Sequence, residues 1–163
     1  MTIKLGDKLP EATLRMLTSE GMQELSVTEY FGAGRVALFA VPGAFTPTCS
    51  KAHLPGFVVQ SDALKAAGVE KIACVSVNDA FVMDAWGKSA NADGVVDMLA
   101  DGNGEFTRAL GLELDAHAGG MGLRSQRYSM LVEDGCVTLL NIEAPKAFEV
   151  STADYLLAQL QKR

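Results

Sequence analysis

The chain has 163 residues, of which 48% are hydrophobic and 21% are charged, and its formal net charge at pH 7 is −6. A chain of this length most simply forms one domain, residues 1–163, and its composition excludes an intrinsically disordered protein. The acidic balance, with no basic stripe, argues against nucleic acid or an anionic membrane as a partner.

The N-terminus and the cysteines indicate the cellular compartment. Residues 1–10 contain no apolar run of the length that a signal peptide needs, and no run in the chain approaches a transmembrane helix. The three cysteines are odd in number and lack C-x-x-C spacing, so they indicate neither a disulfide framework nor a zinc ribbon. We therefore expect a reducing, cytoplasmic environment in which the cysteines are thiols.

The first part of the chain predicts a β-rich segment, a strand and a long helix. In order, these are an imperfectly alternating stretch at residues 11–18, a turn at 19–22, a helical turn at 26–31, a strand at 35–41 and a helix at 49–67. Ser26 and Glu29 predict a capping box for the helical turn. The strand is expected to be buried on both faces, because its apolar run is continuous rather than alternating. Pro55-Gly56 predicts a kink or break in the long helix.

The second part continues the alternation of strands and helices and ends differently. In order, it predicts a strand at residues 69–77, a helix at 80–90, a strand at 95–100, a short helix at 104–110, a mobile Gly-rich loop at 115–122, strands at 128–132 and 136–142, and a helix that starts at 151–154. Asn78-Asp79 offers an N-cap for the helix at 80–90. Four apolar residues at helical spacing are expected to lie in the core: Phe81, Val82, Ala85 and Trp86. Asp134-Gly135 between two apolar runs is a strong hairpin signal.

This order of elements predicts an α/β fold with a mixed central sheet and helices on both faces. Crossover connections make the early core strands parallel, whereas the late hairpin must be antiparallel. A thioredoxin-like layout with an N-terminal β extension satisfies the pattern. A flavodoxin-like sheet is the alternative, and the late hairpin counts against it.

Residues 42–50, PGAFTPTCS, connect the buried strand to the long helix. This loop delivers Cys49 to the start of a helix, where free N–H groups and a partial positive charge favour the thiolate. Position alone suits a buried structural cysteine equally well, since free cysteine is among the most buried residue types.

The spacing Pro42-x-x-x-Thr46-x-x-Cys49 resembles the signature of the peroxiredoxins, P-x-x-x-[TS]-x-x-C. The longer runs PGAFTPTCSKAHLPGF, VSVNDAFVMDAWG and RYSMLVEDG are similar to the type II, peroxiredoxin-5-like branch, and the resemblance extends over residues 3–142. It implies a thioredoxin-like fold and a thiol-dependent peroxidase that reduces hydrogen peroxide and small alkyl hydroperoxides. It implies no cofactor and no metal.

Four residues match the catalytic positions of that family. The resemblance makes Cys49 the nucleophile that becomes a sulfenic acid. Thr46 can place its hydroxyl against the sulfur or a peroxide oxygen, although its spacing alone suits a turn residue as well. Pro42 would shield the pocket from water. Arg127, which precedes the aromatic residue of R-[FY]-S-M, would supply a permanent cation with several fixed donors.

Two further residues are candidates for supporting roles. Arg124 is either a partner behind the site or a solvated surface residue. His53 lies four residues after Cys49 and can share a helical face with it. Two ligands do not complete a zinc site, so a structural or electrostatic role is preferred for His53. His117, in the Gly-rich loop, is given no role.

This sequence differs from some relatives in the residue that would resolve the oxidised cysteine. Those relatives carry a second cysteine near the C-terminus. Residues 148–153 contain none. Cys74 and Cys136 are expected to be core thiols, with Cys74 kept as a weak candidate for a resolving cysteine. Recycling by an external thiol, glutathione with glutaredoxin or thioredoxin, is therefore implied, as is a homodimer formed through loops beside the active site.

Two alternatives to an antioxidant enzyme remain open at this point. One is a peroxide sensor or redox-regulated chaperone that uses the same Cys49. The other is a thioredoxin-fold metallochaperone that uses Cys49 and His53, for which residues 50–53 provide no second thiol.

Overall fold

The computed structural model describes all residues from Met1 to Arg163. Nine strands form, in chain order: β1 (Thr13–Thr18), β2 (Gly21–Ser26), β3 (Arg35–Ala40), β4 (Lys71–Ser76), β5 (Asp97–Ala100), β6 (Glu113–Asp115), β7 (Leu123–Ser125), β8 (Tyr128–Glu133) and β9 (Cys136–Ile142). Six α-helices accompany them: α1 (Val27–Tyr30), α2 (Leu54–Val59), α3 (Ser61–Ala66), α4 (Ala80–Ser89), α5 (Glu105–Leu110) and α6 (Ala153–Gln161). A π-helical turn, Cys49–His53, precedes α2, and a 3-10 turn, His117–Gly119, lies between β6 and β7.

Seven strands form one mixed sheet in the order β2-β1-β5-β4-β3-β8-β9, and β6 and β7 pair separately. Strands β3, β4 and β5 are parallel, whereas β8 runs antiparallel to both β3 and β9. Strand β1 runs antiparallel to β5. The predicted thioredoxin-like mixed sheet is therefore confirmed. No helix combines the length and the apolar run that a membrane crossing requires.

The continuous apolar run of β3 reflects burial of the sheet on both faces. Because successive side chains of a strand point to opposite faces, Ala37 and Phe39 belong to one core with residues of α2, α3, α4 and α6. Val36 and Leu38 belong to a second core with residues of α1 and α5. Each fully buried large side chain contributes roughly 1.5–3 kcal/mol. These two cores hold β3 rigid up to the point where the loop to Cys49 begins.

The hairpin between β8 and β9 forms as predicted. Asp134 and Gly135 both have positive φ, 50° and 83°, which is the geometry of a type I′ turn and matches the twist of the flanking strands. The register of β8 against β3 pairs Ala40 with Tyr128. The start of β8 is thereby placed beside the end of β3.

The helix caps are those that the sequence predicts, except for the carboxylate that completes the capping box of α1. The Ser26 hydroxyl accepts the Glu29 N–H at 3.3 Å, as predicted. The carboxylate that returns the interaction belongs to Glu11, not Glu29, because Glu11 accepts from the Ser26 hydroxyl at 2.6 Å and from Thr28 N–H at 3.3 Å. The sequence pattern could not indicate this, since Glu11 reaches α1 from the chain segment before β1.

The long helix is interrupted, but not at Pro55-Gly56. Pro55 lies in the first turn of α2, where its missing N–H is no loss. Irregularity precedes it, since Leu54 N–H donates to the Cys49 carbonyl five residues earlier, as in a π-helix. The helical path is divided at Gln60, between α2 and α3.

The predicted apolar stripe of α4 is partly wrong. Phe81 is 65% exposed and Ala85 is also exposed. The buried face consists of Ala80, Met83, Trp86 and Gly87. Helical spacing allows either stripe, and contact with β5 and β1 selects the one that faces the sheet. Trp86, which lies on the buried face, donates its indole N–H to the Ser50 hydroxyl at 2.9 Å.

Residues 115–122, predicted as a loop, contain regular structure. They begin in β6, pass through the 3-10 turn and return into β7, and Ala116 N–H donates to the Gly122 carbonyl at 2.7 Å. All three residues of β6 are exposed. Short, solvated strands carry no apolar alternation, which explains why the sequence pattern missed them.

Candidate active site

The loop that carries Cys49 is anchored by Asn78, for which the sequence predicted only a role as a helix cap. Asn78, just after β4, accepts the Ala44 N–H at 2.9 Å and a hydrogen bond from the Ser76 hydroxyl at 2.9 Å. Asp79 is the N-cap of α4 and accepts from Val82 N–H. Asn78 therefore ties the loop after β3 to the end of the neighbouring strand. No local pattern distinguishes it from an ordinary capping residue.

Thr46 contacts the sulfur of Cys49 directly. Its Oγ1 lies 2.8 Å from Cys49 Sγ and 2.7 Å from the Gly43 carbonyl oxygen. A hydroxyl has one proton and two lone pairs. It therefore donates to the sulfur when that is a thiolate, and when the sulfur is a thiol it accepts from S–H and donates to Gly43. The same position serves both protonation states of Cys49.

Arg127 approaches the sulfur from the other side. Because Tyr128 pairs with Ala40 across β8 and β3, the residue before β8 lies at the edge where the Cys49 loop begins. Arg127 Nη2 donates to Cys49 Sγ at 3.1 Å, and Nη1 donates to His53 Nδ1 at 2.8 Å. The cysteine side chain is fully buried. The buried sulfur is therefore held between the guanidinium of Arg127 and the hydroxyl of Thr46.

His53 holds Arg127 in place as a neutral base. It is 1% exposed, and burial, reinforced by the Arg127 charge, lowers its pKa to about 3. Because Nδ1 accepts from Arg127, the proton is on Nε2, which donates to the Ser151 carbonyl at 2.9 Å. Three phenylalanine rings pack around the imidazole: Phe39, Phe57 and Phe148. Both ring nitrogens are thus occupied.

Arg124 is a partner of the loop and not a solvated surface residue. Its Nε donates to the Met121 carbonyl at 2.9 Å and its Nη1 donates to the Pro42 carbonyl at 3.3 Å. The absence of a side chain at Gly43 makes room for it, since a Cβ there would lie 2.7 Å from Arg124 Nη1. Arg124 clamps the start of the loop and makes no hydrogen bond to the sulfur.

A cavity of about 550 Å³ opens in front of Arg127. Pro42 and Thr48 line one part of it, and Leu114, Pro145 and Phe148 give it an apolar part. Among the charged side chains that line it are Glu143 and Lys146. Pro42 borders this space and begins the loop that carries Cys49.

The other two cysteines make no hydrogen bond to this group, and all three are free thiols. Cys74 is fully buried in β4, and burial, together with the neighbouring Cys49, raises its pKa well above the ordinary value. It is a core thiol, as expected. Cys136 is only half-buried, which corrects the expectation of a core position. It pairs with Glu133 at the far end of β8, about 17 Å along the strand from Tyr128.

The fold and the residues around Cys49 define a class, the thioredoxin-fold proteins with one buried cysteine between a threonine hydroxyl and an arginine. The family model described as Redoxin matches residues 4–157, and the chain belongs to this family, in its type II peroxiredoxin branch, whose members are thiol peroxidases. Peroxiredoxin-2E, chloroplastic, of Arabidopsis thaliana is 47% identical over 98% of this chain and 70% of the relative. Peroxiredoxin-2B of the same plant is 46% identical over 97% of this chain and 98% of the relative.

Solved structures agree with this assignment. Reduced Prx3 of Vibrio vulnificus in complex with H2O2 is 60% identical and superposes with a TM-score of 0.95, covering 98% of this chain and 99% of the other. Peroxiredoxin 5 of Alvinella pompejana is 35% identical with a TM-score of 0.87, covering 99% of both chains.

Proposed function

We propose that this peroxiredoxin reduces hydrogen peroxide and small alkyl hydroperoxides through a sulfenic acid on Cys49, and that an external thiol recycles it. The observation that carries the proposal is the pair of donors on one sulfur: Thr46 Oγ1 at 2.8 Å and Arg127 Nη2 at 3.1 Å from Cys49 Sγ. Together they hold a thiolate ready in a site from which bulk water is excluded.

The chemical step follows from these contacts. The Cys49 thiolate attacks one peroxide oxygen, the O–O bond breaks, and its electron pair leaves on the second oxygen, which takes up a proton as water or alcohol. Sulfur is oxidised to a sulfenic acid and the peroxide is reduced. Thr46 and the remaining N–H groups of Arg127 would stabilise the negative charge that develops on the two oxygens. Pro42 would keep competing water away.

The cavity in front of Arg127 supports substrates of modest size. Its volume of about 550 Å³ leaves ample room for hydrogen peroxide or a short alkyl hydroperoxide, and Leu114 and Phe148 offer an alkyl group an apolar part. The relative whose structure is described as a complex with H2O2 is 60% identical to this chain.

Recycling by an external thiol, a 1-Cys mechanism, is supported by the positions of the other cysteines. Cys74 has a raised pKa in the core, and a thiol must ionise to attack a sulfenic acid. Cys136 begins β9 at the opposite end of the hairpin, too far for the Cα separation below about 7 Å that a disulfide needs. Glutathione with glutaredoxin, or thioredoxin, would supply the reductant.

A cytoplasmic location remains a prediction, since one of the relatives is described as chloroplastic.

A homodimer through the cysteine loop is part of the same proposal. Phe45 in that loop is 56% exposed, and Phe81 on α4 is 65% exposed. Phe45 also has a positive φ of 65°, which is unusual for an aromatic residue and holds its ring outwards beside Trp86. Exposed aromatic side chains of this kind are typical anchors of protein interfaces.

The test is the intact mass of the protein after one equivalent of peroxide. We expect a species about 16 mass units heavier, the sulfenic acid, in wild type and in Cys74→Ser, and none in Cys49→Ser. A product about 2 mass units lighter would mean an internal disulfide and would remove the external-thiol step. Full peroxide consumption by Cys49→Ser would refute the mechanism.

The metallochaperone alternative loses support from the geometry. Both ring nitrogens of His53 are hydrogen-bonded, to Arg127 and to the Ser151 carbonyl. Binding a metal between Cys49 and His53 would break the bond that orients the guanidinium. No contact favours the peroxide sensor or the redox-regulated chaperone over the peroxidase, and both share its first step.

A further inference from the structure

Glu143, directly after β9, is a buried carboxylate with an unusual number of donors. It is 7% exposed. Its Oε2 accepts from three consecutive backbone N–H groups and one hydroxyl: Glu149 N at 2.7 Å, Val150 N at 2.9 Å, Ser151 N at 2.8 Å and Ser151 Oγ at 2.7 Å. Burial alone would raise the pKa of Glu143, but these hydrogen bonds hold it below the ordinary value. The carboxylate is therefore charged at neutral pH.

These bonds fold residues 144–151 back over Glu143. Ala147 N–H closes a turn onto the Ala144 carbonyl, and Lys146 takes a positive φ of 65° within it. A non-glycine residue in this conformation persists only where the surrounding contacts impose it. Glu143 supplies those contacts at the end of the turn. This carboxylate therefore sets the shape of the segment.

The folded segment carries two groups that touch the proposed catalytic machinery. The Ser151 carbonyl accepts from His53 Nε2 at 2.9 Å, which leaves Nδ1 free to accept from Arg127. The Phe148 ring lies 5.1 Å from the His53 ring and 5.6 Å from the Arg127 guanidinium carbon. The positions of both His53 and Phe148 beside the Arg127 guanidinium thus depend on where residues 144–151 lie.

Glu143 also holds Arg127 through the backbone. Its N–H donates to the Arg127 carbonyl at 3.0 Å. One residue therefore fixes the main chain of Arg127 directly and its guanidinium through Ser151 and His53. The end of this chain of contacts is the bond from Arg127 Nη2 to Cys49 Sγ.

We propose that Glu143 is a positioning residue for peroxide reduction, which orders residues 144–151 so that His53 and Phe148 align the Arg127 guanidinium on the Cys49 sulfur. This inference rests on the proposed function. Glu143 does not contact the sulfur, and its effect on the reaction passes through Arg127.

The experiment measures the second-order rate constant of Cys49 oxidation by hydrogen peroxide in stopped flow. We expect Glu143→Ala to lower it about tenfold to a hundredfold, as misplacement of a catalytic group does. Glu143→Gln keeps an acceptor oxygen in the place of Oε2 and turns its amide towards the position of Oε1. It is expected to recover most of the rate. The matched control is Glu133→Ala, which removes a carboxylate bonded to Arg35, Arg163 and Thr138 at the other end of β8.

A double-mutant cycle separates positioning from general loss of structure. In an Arg127→Ala background, Glu143→Ala is expected to lower the rate by less than about twofold, because the residue it aligns is gone. Equal losses in both backgrounds, failure of Glu143→Gln to recover the rate, or an equal loss in Glu133→Ala would overturn the proposal. If Glu143→Ala does not fold, Ser151→Ala replaces it in the cycle under the same criterion, since it removes one of the four donors. A wild-type protein that fails to consume peroxide would instead refute the proposed function.

Discussion

At the scale of single residues, the Cys49 sulfur is held between one donor from its own loop and one from a distant part of the chain. Thr46 belongs to the same loop, whereas Arg127 arrives from the start of β8 and is oriented by His53. The neutral histidine matters, because a protonated imidazole would repel the guanidinium and could not accept its hydrogen bond. Arg124, three residues earlier, instead clamps the Pro42 carbonyl.

The two arginines are therefore expected to differ in their effect on the reaction. Arg127→Ala removes a donor on the sulfur and on the developing oxyanion, and we expect the rate of Cys49 oxidation to fall by about 10²–10³. Arg124→Ala loosens the loop and is expected to cost about tenfold or less. Single-turnover kinetics with hydrogen peroxide measures both. Equal losses would remove the distinct role of Arg127.

Stability at acid pH should depend on His53. Its pKa is about 3 in the folded protein and 6.5 ordinarily, so between these values the unfolded chain binds a proton that the folded chain does not. Stability is thus lost as pH falls from 6.5 towards 3, by about 2 kcal/mol between pH 7.5 and pH 5. Urea denaturation at these two pH values tests this. His53→Asn keeps an acceptor near the Nδ1 position and should show a smaller pH dependence; an unchanged dependence would contradict the assignment.

At the scale of elements, the connection between β4 and α4 holds the cysteine loop, which leaves the sheet at the end of β3. Two neighbouring residues have different roles there: Asn78 binds Ala44 of the loop, and Asp79 caps helix α4. The π-helical turn at Cys49–His53 brings Cys49 and His53 onto Arg127 before the chain settles into α2. The pattern of Pro55-Gly56 marked an irregularity near this place but not its form.

This division predicts different outcomes for two adjacent substitutions. Asn78→Ala leaves the half-buried Ala44 N–H without its partner, so we expect a stability loss of about 0.5–1.5 kcal/mol together with slower Cys49 oxidation. Asp79→Ala removes an N-cap, which costs about 0.5–2 kcal/mol, and should leave the oxidation rate nearly unchanged. Denaturation and stopped-flow kinetics on both variants provide the comparison. A rate loss in Asp79→Ala as large as that in Asn78→Ala would argue against loop anchoring.

At the scale of the whole molecule, Phe45 and Phe81 are unusual because they are exposed, whereas most other large apolar side chains are buried in the two cores. Phe45 belongs to the loop that carries Cys49, so an interface there would also cover one side of the loop. The proposed dimer would therefore stabilise the geometry around the sulfur as well as bury apolar surface.

Charge placed on that surface should separate the subunits. We expect Phe45→Asp to shift the protein from dimer to monomer, because it introduces a carboxylate into an apolar contact. Met22→Asp is the control, since Met22 is 41% exposed on the edge strand β2, away from the loop. Light scattering after size exclusion measures both masses. A monomeric wild type, or an unchanged dimer in Phe45→Asp, would refute an interface at this loop.

Much of the fold was determined by local patterns. Continuous apolar runs identified the parallel strands, and Asp134-Gly135 identified the hairpin, because burial and turn geometry leave direct traces in residue type. The three-residue strands β6 and β7 left no such trace, because they are too short to show an apolar pattern. The face of α4 was also undetermined, since helical spacing does not say which of two apolar stripes meets the sheet.

The amino-acid sequence by itself determined that Cys49 stands on a strand-to-helix loop with Thr46 three residues away, because both are local in the chain. Only the tertiary structure decided which groups meet at the sulfur. Arg127 reaches it through the pairing of Tyr128 with Ala40. Asn78 binds the loop from the end of β4, and Glu143 binds the Arg127 carbonyl from the end of β9. Such contacts depend on strand register and on how loops close over the sheet edge. These are properties of the packed molecule that no single stretch of sequence encodes.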